Sequence, residues 1–376
     1  MFDIYTTVIT RGMAWVSILL YSAALIYTLA SYKKWPTTSN SKSRNLFWLL
    51  FLGVFAVTYT IDSDFFHYKE MVSSTREVLD YGLELVYQHI ILFIDNNYLL
   101  FRIIIFGGAA LIYYFVLARF DINKTVGILL MVIVFGGIFS YARATLAFSL
   151  YYLGLSFIIP QGVARKTRGH SFRIVPSSLL IGLCFIAFSY FFHRSMLILI
   201  ALTPLVFLKL DKKSIYIIAL VSPLSLYALR TIMGDVFSLL TFDAVIDQRI
   251  TKTYAEAIES NANWRGVVGS ILHYGKYVIS FIIISISIFR NQLRVNRKIL
   301  HLYSFYAALT YIAILCYPLF EGNIIYSHRF LNMTIVPIIV IVAYLYKNKY
   351  MPFRHLSLVV YWSVANSFLG FARYIF

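Results

Sequence analysis

The sequence contains an apolar run that is too long for a single membrane-spanning helix. It covers residues 125–160, thirty-six positions with one charged side chain, Arg143. As one continuous helix it would extend about 54 Å, nearly twice the roughly 30 Å hydrocarbon layer of a bilayer. We therefore predict two spanning helices that meet at residues 141–145. Because an unpaired charge at the bilayer centre costs several kcal/mol, Arg143 is expected at a membrane surface, facing something anionic.

The composition of the whole chain is that of a membrane protein with many spans. Of its 376 residues, 60% are hydrophobic and 13% are charged. Apolar runs of about 14 to 24 residues predict about twelve spans. We therefore expect an all-α fold, a polytopic transmembrane helix bundle formed by a single integral membrane domain, residues 1–376. The predicted spans are 13–32, 46–61, 99–118, 125–141, 145–160, 175–192, 196–208, 214–230, 266–289, 299–319, 330–346 and 356–374.

The distribution of charge predicts which loops face the cytoplasm. The net charge is +17, and if the loop 33–45 is cytoplasmic, the loops on that side carry twenty Lys or Arg residues against two acids. This asymmetry follows the positive-inside rule. The basic loops are short and lack interleaved aromatic residues, so we expect no nucleic acid as a partner. The same topology makes the loops 62–98, 231–265 and 321–329 extracytoplasmic.

An amphipathic helix is predicted in the first of these outer loops. Ser74 and Glu77 have capping-box spacing, and apolar residues follow at intervals of three and four. We expect the helix to lie in the outer interface, with its carboxylates facing water or a cavity. The apolar stripe is Leu79, Leu83, Val86, Ile90 and Ile94, and the polar stripe is Glu77, Asp80, Glu84 and Gln88.

Charged side chains gather at the predicted outer ends of the helices. Arginine pairs with phosphate oxygens in a bidentate manner, so several arginines at one membrane surface suit a lipid-linked diphosphate. The cationic candidates are Arg143, His193, Arg194, Arg230, Arg249, Arg265 and Arg329. The carboxylates at the same level are Asp62, Asp64, Asp80, Glu84 and Glu321.

Each candidate also has a simpler explanation. An arginine at a membrane surface can snorkel to lipid phosphate, which suits Arg230 better than Arg143 because Arg143 lies in a short turn among small residues. His193 can be an ordinary interfacial histidine. The pair Asp62 and Asp64 has the form of a metal-binding motif, although such acids are commonly solvated. The sequence has no Walker motif, GxSxG elbow or zinc-type cluster, and we expect no metal or cofactor.

Several short motifs occur in an order that resembles the EpsG/Wzy family of bacterial polysaccharide polymerases. The resemblance covers roughly residues 60 to 340. Two positions depart from the family pattern, since Asp80 replaces the usual Glu and Phe65 replaces the Tyr after Asp64. The motifs are Asp64-Phe-Phe-His-Tyr68, Asp80-Tyr-Gly82, Arg143-Ala-Thr-Leu-Ala147, His193-Arg-Ser195 and a late Arg329 before an apolar span.

This resemblance implies a GT-C-like glycosyltransferase that joins undecaprenyl-diphosphate-linked repeat units at the outer face of the bacterial cytoplasmic membrane. Asp64 or Asp80, and with less support Glu84, would accept the proton of the acceptor hydroxyl, with His193 as the alternative base or a phosphate donor. The implied partners are the lipid-linked donor and acceptor glycans, membrane lipid and a chain-length regulator protein. The implied ligands of the diphosphate and glycan are Arg143, Arg194, Arg329, Arg249, Arg265 and Tyr68.

Two other functions remain open at this point. An O-antigen ligase, or another transferase of lipid-linked sugars, has the same chemical requirements. A flippase for lipid-linked oligosaccharides also has about twelve spans, but it should carry charges along the depth of a central cavity. The predicted mid-span positions are almost uncharged, which favours a site on one face.

Overall fold

A computed structural model describes residues 2–31, 42–59, 69, 72, 84–95, 97–120, 122–134, 136–139, 142–159, 176–208, 264–319, 330–362 and 364. These residues form helices, turns and loops and contain no strand, which confirms the predicted all-α fold. The helices include α1 (Phe2–Ser31), α2 (Lys42–Thr58), α3 (Leu85–Ile94), α4 (Tyr98–Arg102), a π-helix (Ile103–Gly107), α5 (Gly108–Arg119), α6 (Lys124–Ile133), α7 (Ala142–Ile158), α8 (Pro176–Phe192), α9 (Met196–Leu202), α10 (Trp264–Arg290), α11 (Arg297–Leu319) and α12 (Ile335–Lys347).

Two helices in the described part of the chain are long and apolar enough to cross a membrane, Gly12–Ala30 and Tyr98–Arg119. The described part also contains six shorter apolar helices of 10 to 17 residues. Large hydrophobic side chains such as Ile26 and Phe93 are exposed on the helices, as is expected of surfaces that contact lipid. The number of spans and the GT-C-like arrangement stay predictions, and the predicted span 214–230 lies outside the described residues.

The apolar run at residues 125–160 is divided as predicted, but its first half is shorter than expected. Helix α7 begins at Ala142, within the predicted junction at residues 141–145. The predicted span 125–141 is wrong in length, because α6 has only ten residues and a 3-10 turn at Gly136–Phe139 follows it. Two consecutive glycines, of low helix propensity, begin that turn. Helix α6 is buried along almost its whole length, so it need not match a lipid layer.

Helices α7 and α8 pack against each other through a pair of glycines. A Cβ atom on Gly154 would lie 2.6 Å from the carbonyl oxygen of Gly182, and a Cβ atom on Gly182 would lie 2.7 Å from that of Gly154. Small residues allow such close backbone approach between membrane helices. The helices are antiparallel, and Arg143 and His193 each lie eleven residues from their glycine toward the same end. Both residues are therefore about 16 Å from the glycine contact.

We expect Gly182→Ala to destabilise the protein by about 1–3 kcal/mol, because the added methyl group must push the two helices apart. Thermal unfolding of the purified protein in detergent should show a lower Tm. Gly108→Ala is the matched control, since no atom lies within 4 Å of the position where its Cβ would be. An equal Tm for the two variants would contradict the assigned role of the glycine contact.

Arg102 binds backbone carbonyl groups at the end of α2 that is predicted to face outward. Its side chain is fully buried. The guanidinium donates to the carbonyl oxygen of Val57 at 2.6 Å and also to that of Tyr59. These are among the carbonyls left without a partner where a helix ends. Arg102 therefore has a structural role, joining α2 to α4.

Candidate functional site

A buried carboxylate, Glu84, joins three separate segments of the chain. Its Oε1 accepts a hydrogen bond from Nδ1 of His193 at 3.1 Å and another from the backbone N–H of Arg194 at 3.3 Å. Its Oε2 accepts from Nη1 of Arg143 at 3.3 Å. The side chain of Glu84 is 7% exposed, against 24% for His193 and 35% for Arg143. The carboxylate thus lies beneath a cation and an imidazole that solvent can reach.

Local backbone structure directs Glu84 toward this cluster. It is the N-cap residue of α3, with an extended backbone (φ −62°, ψ 142°), and its side chain makes no capping hydrogen bond. The carboxylate is therefore available to the donors of α7 and of the turn between α8 and α9. Glu84 is buried against other segments of the chain and does not face open water.

The predicted buried face of the amphipathic helix is correct at Ile94 but wrong at Val86 and Ile90. Tyr87, Ile91 and Ile94 are buried, whereas Val86 and Ile90 are only partly buried. Residues 85–94 are apolar on nearly every side, so the spacing of hydrophobic residues defines the buried face poorly. The helix begins at Leu85, and the capping-box residues Ser74 and Glu77 lie outside the described residues.

Tyr87 fixes the position of α3 against the other two segments. Its buried hydroxyl lies 3.0 Å from the carbonyl oxygens of both Ala142 and Arg143, in the first turn of α7. Its ring meets that of Phe192, the last residue of α8, edge to face at 6.0 Å. Sequence analysis did not single out Tyr87, because nothing in the local pattern distinguishes it from a core aromatic residue.

The surroundings of Glu84 keep it ionised. Burial by itself would raise its pKa, but the hydrogen bond from His193 and the charge of Arg143 outweigh burial and lower the pKa from 4.5 to about 2. An ionised carboxylate can only accept hydrogen bonds, so Nδ1 of His193 must carry the hydrogen. The resulting stabilisation is present above about pH 4.5 and is lost as the pH falls toward about 2.

This geometry favours His193 over Glu84 as a proton acceptor. A base works best when its pKa is near the working pH, and a carboxyl group with a pKa of about 2 is far from neutrality. The Nδ1–Glu84 hydrogen bond orients the imidazole and leaves Nε2 as the nitrogen able to take a proton from a substrate.

The structure places some of the other predicted site residues, and the rest lie outside the described part of the chain. Arg194 contributes its backbone N–H to the cluster, and its side chain is exposed. Arg265 lies in α10, with its side chain outside the described part of the structure. Within the described ranges, no group of three or more His, Cys, Asp or Glu residues is placed to hold a metal ion. The remaining candidates lie outside the described residues: Asp64, Asp80, Tyr68, Arg249 and Arg329.

A model of the EpsG family matches residues 42–375, nearly the whole chain. The chain belongs to the EpsG family. The match confirms the resemblance found in the motifs, and it spans all three segments that meet at Glu84. Membership in the EpsG family, together with the two long apolar helices, identifies a membrane protein with a general polysaccharide polymerase-type role. No curated protein and no solved structure matches this EpsG-family chain.

Proposed function

We propose that this EpsG-family protein joins undecaprenyl-diphosphate-linked oligosaccharide repeat units at the outer face of the bacterial cytoplasmic membrane. The observation that supports this most is the Glu84 carboxylate, which contacts His193 through one oxygen and Arg143 through the other. Glycosyl transfer from a lipid diphosphate needs a proton acceptor for the incoming hydroxyl and cations for the leaving group. The Glu84 cluster contains one of each, held by the two oxygens of a single carboxylate.

In the proposed reaction, a hydroxyl oxygen of the acceptor glycan attacks the anomeric carbon of the donor glycan. The bond between that carbon and the diphosphate oxygen breaks, and its electron pair leaves with the diphosphate. The proton of the hydroxyl passes to Nε2 of His193, and Glu84 stabilises the imidazolium that forms. Asp64 and Asp80 remain alternative proton acceptors.

The leaving diphosphate is the second requirement of the reaction. Arg143, with the guanidinium groups of Arg194 and Arg329, would neutralise the charge that develops on it, so that no metal ion is needed. Binding of the glycan or the diphosphate is also assigned to Arg249, Arg265 and Tyr68. The partners are the two lipid-linked glycans, membrane lipid and a protein that regulates chain length.

The decisive experiment incubates the purified protein, reconstituted in vesicles, with defined lipid-diphosphate repeat units. We expect a ladder of products that differ by one repeat unit, and the ladder should persist in the presence of a chelator. Transfer of a single glycan to another class of lipid would identify a ligase instead. Movement of the substrate between leaflets without any new glycosidic bond would identify a flippase. A ladder that disappears with the chelator would contradict metal-independent transfer.

A further inference from the structure

The contact between Arg143 and Glu84 is a single, long hydrogen bond. A single nitrogen, Nη1, meets a single oxygen, Oε2, at 3.3 Å, whereas charge-assisted hydrogen bonds are usually about 2.7–2.9 Å long and arginine often pairs through two. The guanidinium is 35% exposed and its carboxylate partner 7%. The cation is thus at the accessible side of the pair, where another anion can approach it.

Glu84 does not depend on Arg143 to remain in the cluster. Its other oxygen, Oε1, accepts hydrogen bonds from Nδ1 of His193 at 3.1 Å and from the backbone N–H of Arg194 at 3.3 Å. These two donors lie on one turn, which follows α8 directly. If Arg143 turned to another partner, the carboxylate would still be held at Oε1.

We propose that Arg143 exchanges one anion for another, pairing with Glu84 while the site is empty and with the donor's diphosphate when substrate is bound. Glu84 is therefore an internal competitor for the substrate's position at Arg143. A diphosphate presents several oxygens to the two terminal nitrogens of a guanidinium, so it can form the bidentate pair that Glu84 does not form with Arg143. This inference rests on the proposed function for the identity of the diphosphate.

The exchange couples donor binding to proton transfer. Once Arg143 has turned to the diphosphate, the negative charge of Glu84 acts on His193 without the opposing cation. Glu84 then stabilises the positive charge that forms on the imidazole when the acceptor hydroxyl loses its proton. The diphosphate ligand and the proton acceptor are therefore linked through the two oxygens of one carboxylate.

Glu84→Gln tests the exchange, because glutamine keeps the size of the side chain and one accepting oxygen but removes the charge. We expect this variant to bind inorganic pyrophosphate about fivefold more tightly than the wild type, since a partly exposed ion pair no longer competes. With lipid-linked substrates, KM for the donor should fall while kcat also falls at least tenfold. A substitution that only damaged the fold would not lower KM.

Two further variants make the result specific. Asp95→Asn makes the same change of charge at the other end of α3, at an exposed residue with a left-handed backbone (φ 44°) that asparagine tolerates. Asp95→Asn should leave KM and kcat unchanged. Arg143→Gln should abolish the binding of pyrophosphate. If Glu84→Gln binds pyrophosphate no more tightly than the wild type, the proposal that Arg143 exchanges anions is wrong.

The failure of this inference can be told apart from failure of the proposed function. A product ladder from the wild type, with equal pyrophosphate affinity in the wild type and Glu84→Gln, overturns the exchange and leaves the polymerase in place. Tighter pyrophosphate binding by Glu84→Gln, without any ladder from the wild type, supports an exchangeable anion site and overturns the polymerase. A lipid-linked diphosphate that fails to compete with pyrophosphate would also overturn the exchange.

Discussion

His193→Asn is expected to lower polymer formation by about 100- to 10,000-fold, the range typical of a lost general base. The amide nitrogen of asparagine takes nearly the position of Nδ1, so it can still donate to Oε1 of Glu84. The variant therefore keeps the structural contact and loses the ring nitrogen that accepts the proton. Initial rates with defined lipid-linked substrates would measure the loss.

The control for this prediction is His89→Asn. His89 is exposed on α3, in the same region of the chain, and the same substitution there should leave the rate unchanged. If His193→Asn formed polymer at the wild-type rate, the histidine would serve only as a structural tether for Glu84, and Asp64 or Asp80 would become the leading proton acceptor.

Arg143→Lys is expected to reduce the rate by about 30- to 1000-fold, equivalent to about 2–4 kcal/mol in the transition state. Lysine keeps the positive charge, but it has no planar fork with which to hold two phosphate oxygens. An arginine that merely snorkelled to lipid phosphate would be replaced by lysine with little effect. Polymer length and yield would be compared in cells that lack the native protein, with the membrane level of each variant measured.

Arg297→Lys provides the matched control, because Arg297, like Arg143, lies in the first turn of a helix and its side chain is exposed. It should support normal polymer. A normally inserted Arg143→Lys variant that makes wild-type polymer would remove Arg143 from the diphosphate site and leave Arg194 and Arg329 as the remaining candidates.

Sequence analysis predicted those features that depend on local composition. The uniformly apolar sequence predicted an all-α fold, and the lone charge at Arg143 predicted the junction where α7 begins. The expectation that Arg143 faces an anion agrees with its contact to a carboxylate, although that carboxylate belongs to the chain itself. A charge in an apolar run is stable only where it is paired or close to the membrane surface. Its surroundings can therefore be predicted without knowledge of distant residues.

The arrangement of the site could not be predicted in the same way. Glu84 and His193 are 109 residues apart, and the first outer loop offers several acids of similar spacing. Only the fold determines that Glu84 enters the cluster. Asp80 and Glu84 are four residues apart, so on the predicted helix they shared one face. In the structure, Glu84 precedes α3, so the extended backbone of this N-cap residue, and not a helical face, directs its side chain.

The glycine contact between α7 and α8 lies at the same distance along each helix from Arg143 and from His193. A change of about 10° in the tilt between these helices would displace each of these residues, about 16 Å away, by about 3 Å. This displacement is as large as the hydrogen bonds that join Arg143 and His193 through Glu84. Membrane helices tilt when the acyl chains around them become longer or shorter. If the proposed transfer takes place at the Glu84 cluster, we therefore expect its rate to depend on the thickness of the host bilayer.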